Sequence, residues 1–272
     1  MNYRHAFHAG NFADVAKHLA LVSVLSHLKK KETPFAVIDT HAGRGVYDLA
    51  GEAAARTGEA EAGVARLRDL TATEPSALAT YLELASDAAR YPGSPLIAAR
   101  MLRPGDRLIA IEKHPEEFAA LKTALYPFAR ARAVQGDGFA LLAGLLPPQE
   151  RRGLVLIDPP YESPDDFAAA ARAVAAVMKR FATGIVMVWF PVKSKAEADG
   201  FCGEVLATGV TKALRIDVSV EPVKSGDKER LSSAGLLVIN PPFGLDRDMT
   251  AAFDVAGPLL KARLDVMRLA GD

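Results

Sequence analysis

Cysteine is almost missing from this chain: among its 272 residues there is one, Cys202. A disulfide framework and a four-thiolate metal site are therefore both excluded. Such usage suits a reducing cytoplasm. Net charge is missing too, because 33 basic residues balance 33 acidic ones. A chain without a basic field is no general coat for nucleic acid, so any contact with a polyanion has to be local. Lys29-Lys30-Lys31, Arg151-Arg152, Lys179-Arg180 and the pair Lys193 and Lys195 are candidate patches, although such clusters are commonly just solvated surface. No stretch approaches the ~20 apolar residues of a membrane span. Residues 1–8 hold no apolar core of a signal peptide. A cytoplasmic location and no membrane partner are expected.

What is present is ordinary globular composition, 50% apolar and 24% charged. The length suits one large α/β domain, or a domain with an insertion. Residues 13–30 carry helical apolar spacing, with Asn11 or Asp14 as a cap. Strands are expected at 35–39, 107–112, 131–135, 154–158 and 184–190. Helices at 95–102, 115–126, 139–146, 165–181 and 195–208 alternate with them. Ser94 is expected to cap the 95–102 helix, with Pro95 at its first position. This alternation predicts a mostly parallel, Rossmann-like sheet covered on both faces. Strands 213–221 and 235–240 lack a helix between them and should pair antiparallel. Residues 46–92 exceed what a βα loop needs and are rich in Ala, Glu, Leu and Arg. They read as an inserted helical subdomain, leaving 1–45 and 93–272 as the main domain.

Residues 154–161 say most about chemistry: Leu154-Val155-Leu156-Ile157-Asp158-Pro159-Pro160-Tyr161. Four apolar residues form a strand buried on both faces. The prolines cannot continue the ladder, so the strand stops at the acid. Open α/β sheets bind ligands beyond the carboxyl ends of their strands. A carboxylate, the Pro159 carbonyl and the Tyr161 ring are thereby held together. Two acceptors and a stacking face suit a flat base with an exocyclic amine. Asp158-Pro159-Pro160-Tyr161 resembles the catalytic motif of amino-methyltransferases that use S-adenosylmethionine.

Other strand ends carry polar residues in a consistent order. The first ends in Asp39-Thr40-His41-Ala42-Gly43, the second in Glu112, the third in Asp137-Gly138. An acid ending the second strand can bond both ribose hydroxyls of a nucleoside cofactor. Asp137-Gly138 can meet an adenine edge at close approach. Each feature is weak alone; the ordered set is stronger. The N-terminal segment is dense in polar side chains, Tyr3, His5, His8, Lys17 and His18. On residue type alone, Lys17 and His18 read as a surface lysine and a core-edge histidine.

The motifs together resemble the RlmJ family. They are His5-Ala-Phe7-His8-Ala-Gly10-Asn11-x-Ala-Asp14-Val-x-Lys17-His18, Asp39-Thr-His41-Ala-Gly43, Tyr91-Pro-Gly93-Ser94-Pro95 and Ile157-Asp158-Pro-Pro-Tyr161. The resemblance covers nearly the whole chain, insertion included, except the last ~30 residues. It implies methyl transfer from S-adenosylmethionine to N6 of an adenine in 23S ribosomal RNA, met before subunit assembly, by a monomeric enzyme without a metal. It implies that Lys17, His18, His41, Ser94, Glu112, Asp137 and Gly138 line the S-adenosylmethionine site. It also implies that Asp158 is catalytic, that Tyr3 contacts substrate and that His5 lies near the target base.

Leu237-Val238-Ile239-Asn240-Pro241-Pro242-Phe243 imitates the first motif. Asn240 ends a strand expected to run against the others, so it should point to the opposite edge from Glu112 and Asp137. Asp158 is therefore the expected catalytic acid. Three rival readings remain. Asp39-x-His41 with Gly136-Asp137 superficially matches metal-dependent phosphoesterases, but no histidine follows His114 to complete two metal sites. A non-catalytic RNA-binding module on the same fold would bind RNA without transferring methyl. A DNA adenine-N6 methyltransferase would use the same Asp-Pro-Pro-Tyr chemistry.

Overall fold

A computed structural model describes residues 5–71, 76–163, 165–222, 224–225, 228–229 and 231–271. Tyr3 lies outside the described residues. An eight-stranded sheet organises the chain, in the order β12-β8-β11-β7-β6-β1-β4-β5. Its members are β1 (Ala36–Asp39), β4 (Arg107–Glu112), β5 (Ala131–Gln135), β6 (Gly153–Ile157), β7 (Ile185–Pro191), β8 (Ala213–Val220), β11 (Ser233–Ile239) and β12 (Ala262–Ala270). Two short pairs complete the strands: β2 (Val46–Tyr47) with β3 (Tyr91–Pro92), and β9 (Lys224–Ser225) with β10 (Lys228–Glu229).

β1 pairs in parallel with β4 and β6, and the parallel set extends to β5 on one side and β7 on the other. β11 runs against both β7 and β8, which meets the expectation for the 213–221 and 235–240 pair. The eighth strand goes beyond the seven expected. β12 runs antiparallel to β8 and closes the edge. Its sequence alternates exposed and half-buried positions, as an edge strand covered on one face should.

The pleat sends alternate strand residues to opposite faces. Leu154 and Leu156 join one apolar cluster, while Val155 and Ile157 join the other. The first face carries α1 (Phe12–Lys29), α5 (Ser94–Met101), α6 (Pro115–Leu125) and α10 (Leu245–Leu260). α7 (Gly138–Leu142), α8 (Asp166–Arg180) and α9 (Lys195–Ala207) cover the second. α7 ends at Leu142 and passes into a 3-10 turn, Ala143–Leu145, so the helix expected at 139–146 is shorter.

α1 is buried on nearly all sides, because more than the sheet covers it. The segment between β2 and β3 contributes α2 (Glu52–Thr57), α3 (Glu59–Ala62) and α4 (Ala77–Leu84). Its Leu67, Leu78 and Tyr81 lie in the same apolar cluster as Leu19 and Leu21 of α1. Asn11 caps α1: its side-chain oxygen accepts the Asp14 N–H at 2.9 Å. The expected cap at Ser94 is not formed. α5 begins at Ser94 itself with Gly93 as its cap, and the Ser94 hydroxyl donates instead to Asp39.

Candidate active site

The chain turns from β1 to β4 on one side of the sheet and returns to β6 on the other. A cleft of about 670 Å³ opens where the strand order reverses, above the carboxyl ends of β1, β4, β5, β6 and β7. The structure brings His5, Lys17, His18, His41, Ser94, Glu112, Asp137, Gly138, Asp158, Pro159 and Tyr161 into its wall. These are all of the sequence-based candidates except Tyr3.

Asp158 follows directly on β6, and Lys17 reaches it from α1. The Lys17 ammonium donates to Asp158 Oδ2 at 2.7 Å and lies 2.9 Å from Asp14 Oδ1. Lys17 is 5% exposed and Asp14 3%. Burial opposes the lysine charge, but the two carboxylates outweigh it and raise its pKa well above the usual value. Asp14 Oδ2 also accepts the Gly10 N–H at 2.9 Å and sits 3.0 Å from His5 Nε2. Burial alone would raise the Asp14 carboxyl; His5 and Lys17 reverse this and hold it well below the usual range. Asp158, Lys17, Asp14 and His5 thus form one connected set. Asp14 was absent from the sequence-based candidates, since an acid in a first helical turn looks like a helix-start residue.

Asp158 Oδ1 and the Pro159 carbonyl accept no hydrogen bond from the described residues. Tyr161 has a left-handed backbone, φ 50, a conformation that costs a β-carbon-bearing residue roughly 1 kcal/mol or more. Its ring packs against Phe167 and Trp189, with centroids at 4.7 and 5.9 Å. Its hydroxyl donates to the Trp189 carbonyl at 2.6 Å.

On the other flank, both Glu112 oxygens accept backbone N–H groups, from Gly43 at 2.9 Å and His114 at 2.7 Å. The left-handed Gly43, φ 61, brings its N–H to that carboxylate. Asp137 caps α7 by accepting from Ala140 at 3.1 Å, and pairs with Lys113 at 3.0 Å. The Lys113 hydrogen bond is the main reason that its pKa is lowered. Gly138 is required by the protein itself, because a Cβ there would sit 2.0 Å from the Thr40 carbonyl oxygen. His41 bonds Thr40 Oγ1 through Nδ1 at 2.8 Å, and its ring meets Phe139 edge-on. Burial lowers its pKa to about 4, so the imidazole is neutral at pH 7.

Deep in the cleft wall, His18 Nδ1 lies 3.0 Å from the Tyr91 hydroxyl, while its buried Nε2 has no partner among the described residues. Burial lowers His18 to about 3, so this ring is neutral too. Asp39 is fully buried at the end of β1 and accepts the Ser94 hydroxyl at 2.7 Å. Burial pushes its carboxyl up to about 7. Asp39 was quoted in a strand-end motif, but its partnership with Ser94 across 55 positions has no local signal.

Asn240 lies at the other edge, as the antiparallel direction of β11 requires. Ile239 pairs with Val186 near the start of β7, and the Asn240 amide donates to the Ala182 and Gly184 carbonyls at 2.9 Å each.

The comparisons with known proteins agree over almost the full length. The family model described as Ribosomal RNA large subunit methyltransferase D, RlmJ, matches residues 32–265. A protein of Escherichia coli K12 named Ribosomal RNA large subunit methyltransferase J is 42% identical over 258 residues, spanning 92% of this chain and 90% of its own. Its namesake from Haemophilus influenzae is 39% identical over 256 residues, with the same coverage. A Legionella pneumophila protein of known crystal structure superposes with a TM-score of 0.86 at 31% identity, covering 96% of this chain and 98% of its own. The sheet, with β11 reversed between β7 and β8, is Rossmann-like, as expected. With the family model matched over residues 32–265 and two relatives matched over 92% of its length, the chain belongs to the RlmJ family.

Proposed function

We propose that this protein transfers a methyl group from S-adenosylmethionine to N6 of an adenine in 23S ribosomal RNA. The observation that carries the reading is Asp158, oriented by a buried lysine at the end of β6, beside the Pro159 carbonyl and the Tyr161 ring. The relatives named as ribosomal RNA large subunit methyltransferases supply the RNA class.

The cleft suits the cofactor on its own chemistry. It offers Glu112 and Asp137 for ribose hydroxyl and base N–H groups, and neutral His41 beside a glycine turn. The unpartnered His18 Nε2 is a buried polar atom that a ligand can satisfy. Ser94 lies on the same wall, beside Asp39. Bound there, S-adenosylmethionine would supply an electrophilic methyl group on a sulfonium.

The exocyclic amine of adenine is a poor nucleophile, because its lone pair is delocalised into the ring. Lys17 fixes Asp158 through Oδ2 and leaves Oδ1 to accept one amine hydrogen. The Pro159 carbonyl accepts the other, which favours a pyramidal nitrogen with its lone pair directed across the cleft. Both acceptors are set before substrate arrives, so they stabilise positive charge developing on nitrogen. Most of the acceleration comes from holding the reactants in line. Asp158 takes the proton late, since a carboxylate is a weak base for a neutral amine and an adequate one for the ammonium-like product. Tyr161 stacks on the base, worth ~1–3 kcal/mol. The target must swing out of its helix or loop to enter.

The test is labelled methyl transfer onto protein-free ribosomal RNA, assembled large subunits and duplex DNA, followed by nucleoside analysis. N6-methyladenosine from free RNA alone is expected. Label on DNA would favour the DNA methyltransferase reading, and RNA binding without label would favour the non-catalytic module.

A further inference from the structure

A second cavity, of about 790 Å³, adjoins the cleft. Asn11 and Leu231 belong to the walls of both. It lies between the segment joining β2 to β3, which supplies Glu59 and Arg66, and the turn from α10 into β12, which supplies Lys261 and Arg263. The last two residues of β8, Ser219 and Val220, and the two that follow, Glu221 and Pro222, also line it. β8 runs in the direction of β7, so this groove opens on the same edge of the sheet as the cleft.

The charges of the two flanks differ. On the β4 and β5 side the cleft wall carries Glu112, Glu117 and Asp137, with Glu117 paired to Arg44 and Asp137 to Lys113. On the groove side Arg66, Lys261 and Arg263 are exposed. Arg66 donates to the Leu259 and Leu260 carbonyls at 3.5 and 3.4 Å, which holds its guanidinium at the end of α10, next to Lys261. Lys261 and Arg263 make no ion pair among the described residues. Of the groove's acids, Glu59 is engaged by His8 and Asn11; Glu221 remains. In a chain of zero net charge, this is a local cationic site bordering the cleft.

We propose that this groove holds the RNA strand adjoining the target nucleotide, with Lys261 and Arg263 on its phosphates. The proposal rests on the reading that the chain acts on RNA. A base swung into the cleft leaves its phosphodiester neighbours on the rim. The two cavities border each other at Asn11 and Leu231, so a strand leaving the cleft on that side meets the groove next. The acidic flank turns it away from the cofactor side and toward the cations. These contacts position the strand and read no sequence.

The test compares the wild-type chain, Lys261→Ala/Arg263→Ala, and a control, Lys30→Ala/Lys31→Ala, at the far end of α1. Methyl transfer to protein-free ribosomal RNA and RNA binding by fluorescence anisotropy are measured from 50 to 200 mM salt. For the groove variant the KM for RNA should rise roughly three- to tenfold, with kcat kept at saturating RNA. The slope of log affinity against log salt should become shallower by about 1.4, the contribution of two phosphate contacts on a single strand. Affinity for S-adenosylmethionine, measured by calorimetry, should not change. An unchanged KM and slope, or an equal change in the control, overturns the proposal. If the wild type transfers no methyl to RNA, the proposed function fails, and the anisotropy series still decides whether the groove binds RNA.

Discussion

Replacing Lys17 with methionine tests whether the buried charge set is a device of the fold. The side chain keeps its length and loses its charge. Lys17 and Asp14 are 5% and 3% exposed, so water screens their attraction little. Removing one member of a buried ion pair typically costs about 3–5 kcal/mol, because the other charge is stranded. Asp14 keeps the Gly10 N–H and the His5 contact, which places the expected loss near 3 kcal/mol at pH 7. That is a large share of the ~5–15 kcal/mol that holds a domain folded. The pH dependence follows from Asp14, whose folded pKa is held well below the usual range. Such an acid contributes stability above its unfolded pKa near 4 and loses it as pH falls through the folded pKa. Without Lys17 the depression is smaller, so the deficit should be full at neutral pH and shrink only as pH falls below about 4. Lys17→Met/Asp14→Asn, which removes both charges, should recover part of the loss. Urea unfolding at pH 7 and at about pH 3, below the unfolded carboxyl range, measures all three proteins. A deficit below about 1 kcal/mol at pH 7, a deficit equal at both pH values, or a double variant weaker than the single one would refute the reasoning.

Asp39→Asn should raise stability toward neutral pH. The Asp39 carboxyl, pushed up to about 7 by burial, holds its proton in the folded state where the unfolded chain releases it. Stability therefore falls as pH rises between roughly 4 and 7, and urea midpoints for the variant should follow a flatter profile across that window. Gly138→Ala sets a Cβ 2.0 Å from the Thr40 carbonyl oxygen. It should cost about 2 kcal/mol or more and weaken S-adenosylmethionine binding in calorimetry, because Asp137 moves with it. Tyr161→Phe loses the hydrogen bond to the Trp189 carbonyl, worth about 1 kcal/mol in thermal unfolding, and keeps the ring and with it most of the methyl transfer.

The parallel core of the sheet was legible because its signals are local. A strand buried on both faces is a continuous apolar run, and proline ends it where it stands, as at Ile157-Asp158-Pro159. The order of polar strand ends then placed Glu112, Asp137 and Asp158 on one edge, and the direction of β11 separated Asn240 from them. What was not legible depends on distance along the chain. Lys17 meets Asp158 across 141 positions, and Asp14 holds Lys17 only because α1 is packed over the sheet. Ser94 has the residue type and position of a helix cap, yet Asp39 takes its hydroxyl in the folded chain. α10 and β12 carry no motif, and half-exposed edge strands give the weakest apolar signal. The groove beside the cleft is assembled from the segment between β2 and β3, β8 and β12, so no single stretch announces it.

The central claim is that Asp158, and not its look-alike Asn240, handles the amine in a cleft that binds S-adenosylmethionine. Methyl incorporation into protein-free ribosomal RNA by the wild type, Asp158→Ala and Asn240→Ala, with calorimetric cofactor binding on the same samples, tests it most directly. Asp158→Ala should bind the cofactor and incorporate no methyl. Asn240→Ala should retain transfer while losing about 2 kcal/mol of stability, since two backbone carbonyls lose their donor and alanine is strained at φ 51. Transfer that survives in Asp158→Ala and disappears in a folded Asn240→Ala would contradict the account.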